Sequence, residues 1–370
     1  MILDSRDHQT TLNFLRGYPP PMRIGVDVSG GDNAPHEILK GSFDALSRIG
    51  EEDSLVLAGD PEVISEAMAE RGIEDPRLTI LPCTEVIEME DSPVEAVRGK
   101  PDSSITRLSR LGGPKAGEDR VDCWISAGNT GACVTAAQMY MRRLRHVHRP
   151  GIAVTVPTFS GPIVLLDVGA NIEPKPHHLA QYGVMGSIYA ERILGVANPR
   201  VGLMNVGNEE AKGTSEMKFA RDMLRDAEST NFIGYVEGRG VFDGEADVVV
   251  TDGVVGNVMI KLAEGLSAGI FKAIAAEVFE IDPELAMRFE PVVKSLYAKH
   301  DYHEYGGAPL LGVNGVCMIA HGSAVGRTIS NAIVRGREFV LSGVNDAITT
   351  ALADVGQTVR EVSTEEVRSS

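Results

Sequence analysis

The chain has 370 residues, 43% of them hydrophobic, and a formal net charge of -17. That length can bury one large α/β core or two lobes, and the negative field excludes general nucleic-acid binding. The longest apolar runs, such as 163–168, have strand length and fall short of the ~20 residues a membrane span requires.

Residues 1–21 lack the basic start and apolar core of a secretory signal and read as a poorly ordered extension, with Met22 a candidate domain start. From there short apolar runs alternate with helical patterns, the signature of βα units feeding a mostly parallel sheet. Strands are expected at 23–28, 55–59, 78–81, 123–126, 152–156, 163–168, 201–206, 232–236, 248–251 and 316–320. Helices are expected at 35–49, 129–144, 177–194, 215–226, 257–279 and 324–335. Residues 89–120, rich in charge, Ser, Gly and Pro, read as an exposed helix and loop region. Residues 281–305 mix aromatic, charged and apolar residues without a strand pattern and read as an irregular surface or dimer segment. A catalytic α/β domain is placed at 22–340, as one body or two lobes, with 341–370 a C-terminal segment.

Several expected strands run into glycine-rich turns: "DVSGGDNAP", "SAGNTGA", "DVGAN", "NVGNEEAKGT", "TDGVVGN" and "EYGGAPLLG". In open α/β sheets the ligand crevice lies beyond the carboxyl ends of the strands, where such turns gather. The turns supply Asp27, Gly30, Gly31, Asp32, Asp167, Asn171, Asn205, Asp252, Gly306 and Gly307 as candidate loop residues. Asn129, Thr130 and Gly131 stand at a helix start, where backbone N–H groups and the helix dipole favour a small anion; helix capping by Asn129 explains the same pattern. The loop has neither the lysine of a triphosphate loop nor an acidic residue at ribose-binding distance, so a single phosphate or carboxylate fits it better than a nucleotide.

Lys175, Lys212 and Lys261, the last one turn after Asn257, are candidates for neutralising an anion or a developing negative charge. His321, ending a strand before a helix, is a candidate oxyanion donor or a turn cap. The neighbours His177 and His178, and the pair His300 and His303, lack the partners of a metal set, so no metal is expected. Four scattered cysteines, Cys83, Cys123, Cys133 and Cys317, read as buried thiols in a reducing cytosol. With no G-x-S-x-G and no cysteine beside a basic partner, no covalent nucleophile is evident. Arg142, Arg143, Arg145 and Arg149 cluster where the expected helix 129–144 ends; they complement its dipole or dock an acidic partner.

Taken together, "DVSGGDNAP", "SAGNTGA", "LLDVGANIEPKPHHL", "NVGNEEAKG", "ADVVVTDGVVGNVMIKLAEG" and "DYHEYGGAPLLGVNGVCMIAHGSA" resemble the bacterial PlsX phosphate acyltransferases over nearly all of 22–335. Ser29 departs from the family's methionine and Pro174 from its cysteine. The resemblance implies a three-layer α/β/α fold like the isocitrate and isopropylmalate dehydrogenases, a homodimer and no cofactor. It also implies a cytoplasmic enzyme, associated peripherally with the membrane, that transfers a fatty acyl group from acyl carrier protein to inorganic phosphate. The acyl phosphate then feeds a membrane glycerol-3-phosphate acyltransferase.

On this reading Asn129, Thr130, Gly131 and Lys212 hold phosphate, which is itself the nucleophile. Asn171, Lys175, Asn257, Lys261 and His321 line the reacting carbonyl and leaving thiolate, and the arginine cluster docks the carrier. Three alternatives share parts of the pattern: a phosphotransacetylase-like enzyme using acyl-CoA, a non-catalytic lipid or carrier-binding module, and a metal-dependent NAD(P) dehydrogenase. The last lacks clustered acidic ligands, and the binding module would not need so many converging polar loops.

Overall fold

The structure, a computed structural model, describes residues 20–158, 160–299 and 306–353. The extension 1–19, His300, His303 and most of the C-terminal segment therefore lie outside the described residues. The chain forms two compact units, Met1–Arg142 with Val313–Gly343 and Arg143–Gly312 with Val344–Ser370.

In the first unit five parallel strands lie in the order β3 (Leu78–Pro82), β2 (Ser54–Gly59), β1 (Arg23–Asp27), β4 (Cys123–Ser126) and β11 (Val316–Ile319). β1, β2, β4 and β11 are nearly all apolar, as strands covered on both faces must be. Ile24, Leu55, Leu57, Trp124 and Ile125 are fully buried among them. The covering helices are α1 (His36–Ala45), α2 (Pro61–Glu70), α3 (Pro93–Gly99), α4 (Ser104–Leu111) and α11 (Gly326–Ser342). α1 and α11 pack together, and buried Asp53, which accepts from the amides of Met22 and Gly50, receives Arg337 Nε from α11. β2 lies on one side of β1 and β4 on the other, so the chain reverses its winding there, the position at which ligands bind in open α/β sheets.

Helix α5 covers Thr130–Ala136 and runs into a π-helical turn, Ala137–Met141. The expected helix to 144 stops early because Arg142 turns to φ 69° and leaves the helix. Met141, fully buried, ends the turn with its sulfur accepting from Trp124 Nε1 at 3.1 Å.

The second unit lays out β10 (Ala308–Leu311), β5 (Gly151–Thr158), β6 (Gly161–Leu166), β9 (Val248–Val250), β7 (Arg200–Met204) and β8 (Asn231–Val236) in that order. β5 is antiparallel to both β10 and β6, and β6, β9, β7 and β8 are mutually parallel. α6 (Pro176–Leu194) packs on β6 and β9 and ends at Gly195 in the left-handed region, a frequent helix stop. α7 (Ser215–Asp226) and α8 (Gly238–Asp243) complete the crossovers.

α9 (Gly253–Ile281) starts a turn before the expected 257 and buries only Gly253 and Gly256; Leu262 and Leu266 are 66% and 59% exposed. By length and composition this helix could cross a membrane, with a mean hydropathy of 1.4 over its most apolar window. The sequence reading missed that property because Lys261, Glu264, Lys272 and Glu277 interrupt the apolar run. The segment read as irregular is helical over α10 (Pro283–Lys299): Asp282 caps it by accepting from the amides of Glu284 and Leu285, and Pro283 supplies the φ of a first helical residue.

Candidate active site

In the first unit the loops following β1, β4 and β11 meet. Asp27, 1% exposed, closes β1; its carboxylate accepts from the Ser29 amide (3.1 Å) and the Ser126 hydroxyl (2.6 Å), with Ser104 and the Gly30 amide as further donors. Ser126 Oγ in turn accepts from the Gly128 amide at 3.0 Å, so one buried carboxylate ties the first two loops together. Burial pushes the Asp27 carboxyl above its ordinary range, and these donors pull it back. A Cβ on Gly30 would strike the Asp27 carboxylate and approach the Gly128 amide to 2.7 Å, which explains a glycine at this crossing. The third loop joins through Asp32 N–H to Gly322 O (2.8 Å) and through Asn33 Nδ2, which donates to Ser323 O and Ala324 O. His321 stands exposed in that loop, its Nδ1 2.8 Å from Ser323 Oγ.

Asn129 turns out to be a structural hub. Its Oδ1 caps α5 by accepting from the Ala132 amide, while Nδ2 donates to the carbonyls of Glu88, Met89 and Asp91 at 3.0–3.1 Å. At 6% exposure, with its amide satisfied on both sides, it fills the capping role that the sequence also allowed: the side chain holds the 88–91 loop against the helix start. Thr130 is exposed and Gly131 half-buried in the first turn of α5, where backbone amides have no intrahelical partner. Cys133, three residues on, is fully buried and burial pushes its thiol to about 12, so it is no nucleophile at neutral pH.

In the second unit the carboxyl ends of β6, β9 and β7 are adjacent. Asp167, fully buried after β6, accepts from the amides of Ile152, Gly169, Ala170 and Asn171 and from Asn171 Nδ2, at 2.7–3.2 Å. Burial raises this carboxyl too, against the pull of its donors. Asn171 spends its amide on Asp167 and Pro150 O, and its own carbonyl accepts from the Gly253 amide. It is therefore a brace for the start of α9. A Cβ on Gly253 would lie 2.6 Å from Asn171 O, so α9 needs glycine to dock there.

Asp252 caps α9 through the amides of Val254 and Val255. Asn257 and Lys261 follow Gly253 at four-residue steps along one side of the helix, both exposed. Asn205 follows β7 with its buried Nδ2 lacking a hydrogen-bond partner, under Gly213 of the loop that carries exposed Lys212. Lys175, exposed, stands at the N-cap of α6.

Two groups of expected residues lie elsewhere. Gly306 and Gly307 precede β10, whose register with β5 makes it run in the direction of β6, so they sit at the amino ends of these strands, away from Asp167. The arginine cluster begins at the helix end and runs beyond it: Arg142 caps the π turn, and Arg143, Arg145 and Arg149 lie in the segment before β5. Sequence reasoning missed Ser126 and Ser104; the available signal was a serine ending the otherwise apolar strand β4.

Mostly parallel sheets with helices on both sides, and ligand-type loops at their carboxyl ends, define an α/β enzyme fold. EutD phosphotransacetylase from Staphylococcus aureus shares it with a TM-score of 0.57 at 13% identity, covering 91% of this chain and 100% of that one. A phosphotransacetylase from Streptococcus pyogenes gives 0.58 at 16%, covering 87% and 94%. The family model described as fatty acid synthesis protein matches residues 22–347. Phosphate acyltransferase from Desulfitobacterium hafniense (strain DSM 10664 / DCB-2) is 45% identical over 330 residues, 88% of this chain and 96% of the relative. That from Bacillus licheniformis is 44% identical over 326 residues, 87% and 96%. The chain belongs to this fatty acid synthesis protein family, of PlsX type, and is an acyltransferase.

Proposed function

We propose that the chain transfers a fatty acyl group from acyl carrier protein to inorganic phosphate, with phosphate as the direct nucleophile. A phosphate oxygen attacks the thioester carbonyl, the tetrahedral oxyanion collapses, the C–S bond breaks and the thiolate leaves to take a proton. The observation that carries this reading is the crossing of loops after β1 and β4, tied by the buried Asp27 carboxylate, which leads into the α5 turn at exposed Thr130 and half-buried Gly131 and offers no activated thiol.

In the first unit Thr130 and Gly131 hold phosphate; in the second unit Lys212 is a further candidate for binding it. In the second unit Asn257, Lys261 and Lys175 are the candidates for stabilising the oxyanion and leaving thiolate, and in the first unit His321 is the candidate. Asp27, Gly30, Gly31 and Asp32 shape the first loop, and Asp167, Asn205 and Asp252 do the same in the second unit. Arg142, Arg143, Arg145 and Arg149 dock the acidic carrier. The exposed apolar side of α9 supports a homodimer that touches the membrane peripherally from the cytoplasm, handing acyl phosphate to a membrane glycerol-3-phosphate acyltransferase.

The direct test incubates the protein with acyl carrier protein thioester or acyl-CoA and inorganic phosphate, and measures acyl phosphate. Product from the carrier thioester is expected, with Thr130→Ala and Lys212→Ala each raising the apparent phosphate KM about tenfold or more, as loss of one charge-assisted hydrogen bond does. Product from acyl-CoA alone would instead favour a phosphotransacetylase-like enzyme, and no acyl phosphate from either donor would sink the reading.

A further inference from the structure

Two sequence motifs far apart in the chain converge in the second unit. His148, from "RHVHRP", meets His177 and His178 at the start of α6: its ring centroid is 4.9 Å from that of His177 and 6.3 Å from that of His178, and the latter two are 4.2 Å apart. The meeting is braced. Gln181, 8% exposed on α6, donates from Nε2 to His146 O at 2.7 Å and accepts from the His148 amide at 2.9 Å. Arg143 donates to His148 O, closing the turn from its other end.

The charges pressing on this cluster are positive. His178 is pushed down to about 4, first by burial and then by His177, Arg149, His148 and Lys175. His177 is lowered by burial, then by His148 and Lys175. On the preceding loop Asp167 is buried under its own donors and Glu173 is exposed; Tyr182 on α6 is buried beneath. His148, Arg149 and Lys175 are exposed and His177 is half-buried, so these basic side chains reach solvent.

A metal does not fit this set. The Lys175 amide donates to His178 Nδ1 at 3.0 Å, which leaves the proton of the neutral ring on Nε2, and Arg149 and Lys175 repel a cation. An anion with several acceptor oxygens does fit: the three imidazoles adjoin one another, and the Arg149 guanidinium and the Lys175 ammonium both act on His178.

We propose that His148, Arg149, Lys175 and His177 form a binding site for a phosphate group. The ligand is a phosphate group, either the free dianion or the singly charged phosphodiester of a carrier's pantetheine arm. This choice of ligand rests on the acyltransfer reading; the anionic chemistry does not. Binding favours a proton on His177, because the bound anion opposes the neighbouring charges that act after burial to lower its pKa.

The test is calorimetric titration of inorganic phosphate, and separately of 4′-phosphopantetheine, into the full chain at pH 7.5 in buffers of unequal ionisation heat. The parent is expected to take up a fraction of a proton on binding at least one of these probes. The His148→Gln, His177→Gln double variant, checked for an unchanged melting temperature, should bind about tenfold more weakly and lose the uptake. Parent-like affinity and uptake in that variant would overturn the site, as would failure of the parent to bind either probe.

Thr130→Ala separates this proposal from the substrate reading. If it abolishes phosphate binding while the histidine variant binds like the parent, the histidine site is wrong and the α5 turn stands. If it binds like the parent while the histidine variant does not, the histidine site stands and the turn falls. Tighter binding of the ester than of free phosphate assigns the site to a carrier arm, and the reverse assigns it to the free ion.

Discussion

Asp167 is surrounded only by donors, so an amide in its place has no good orientation: either rotamer turns an NH2 group against backbone N–H groups. Asp167→Asn is expected to lose about 3 kcal/mol in a urea unfolding curve, since a buried donor left unmade costs about 1–3 kcal/mol. His178 gives a pH signature of opposite chemistry. Its folded value of about 4 lies below that of an unfolded histidine, so the unfolded chain binds more protons between these values and stability rises with pH across that window. The stability is fully present at neutral pH, begins to fall as pH drops through the unfolded value and is lost by about 4. An NMR titration should find the His178 ring neutral from pH 7.5 to 5, and a ring that titrates near 6.5 would contradict this packing. Asn129 shows what one chain of letters hides. "GNTG" correctly suggests a helix start, but the carbonyls that occupy the Asn129 amide come from Glu88, Met89 and Asp91, remote in sequence.

At the scale of elements, the strands of the first unit were legible because parallel strands covered on both faces are written as continuous apolar runs, "RIGVD" and "CWIS" among them. β10 was not, since "APLL" is as short as a turn and follows two glycines that read as loop. α10 was missed because most of its described residues face outward, so no buried stripe imposes a helical period on the sequence. α5 was placed correctly at its start and too long at its end, where local pattern does not reveal that Met141 must turn inward to Trp124. The cap of that helix carries a prediction. Asn129→Ala should cost about 2–3 kcal/mol, from the lost cap and the freed 88–91 loop, and should raise proteolytic cleavage in that loop. Thr130→Ala, at an exposed position, should leave the melting temperature nearly unchanged, so stability and phosphate affinity separate between adjacent residues.

For the whole molecule, the fold class and the gathering of loops at strand ends followed from the alternation of patterns, whereas the convergence of "RHVHRP" on "KPHHL" depends on long-range topology and had no local signal. The exposed apolar side of α9 belongs to the same scale. If it joins two copies, Leu262→Glu with Leu266→Glu should convert a dimer to a monomer in sedimentation velocity; an unchanged parent dimer would place the interface elsewhere. The first unit has one more property, which concerns its birth. Val313–Gly343 returns to it after Arg143–Gly312 of the second unit, bringing β11 to the flank of β4 and α11 against α1. During synthesis, then, β4 waits with one hydrogen-bonding edge open while residues 143–312 emerge, a span that takes roughly ten to thirty seconds at translation rates of 5–20 residues per second. The later-made half has the chance to fold before the earlier one can close, and the open edge of β4 is where a ribosome-bound chain would be most prone to pair with the wrong strand.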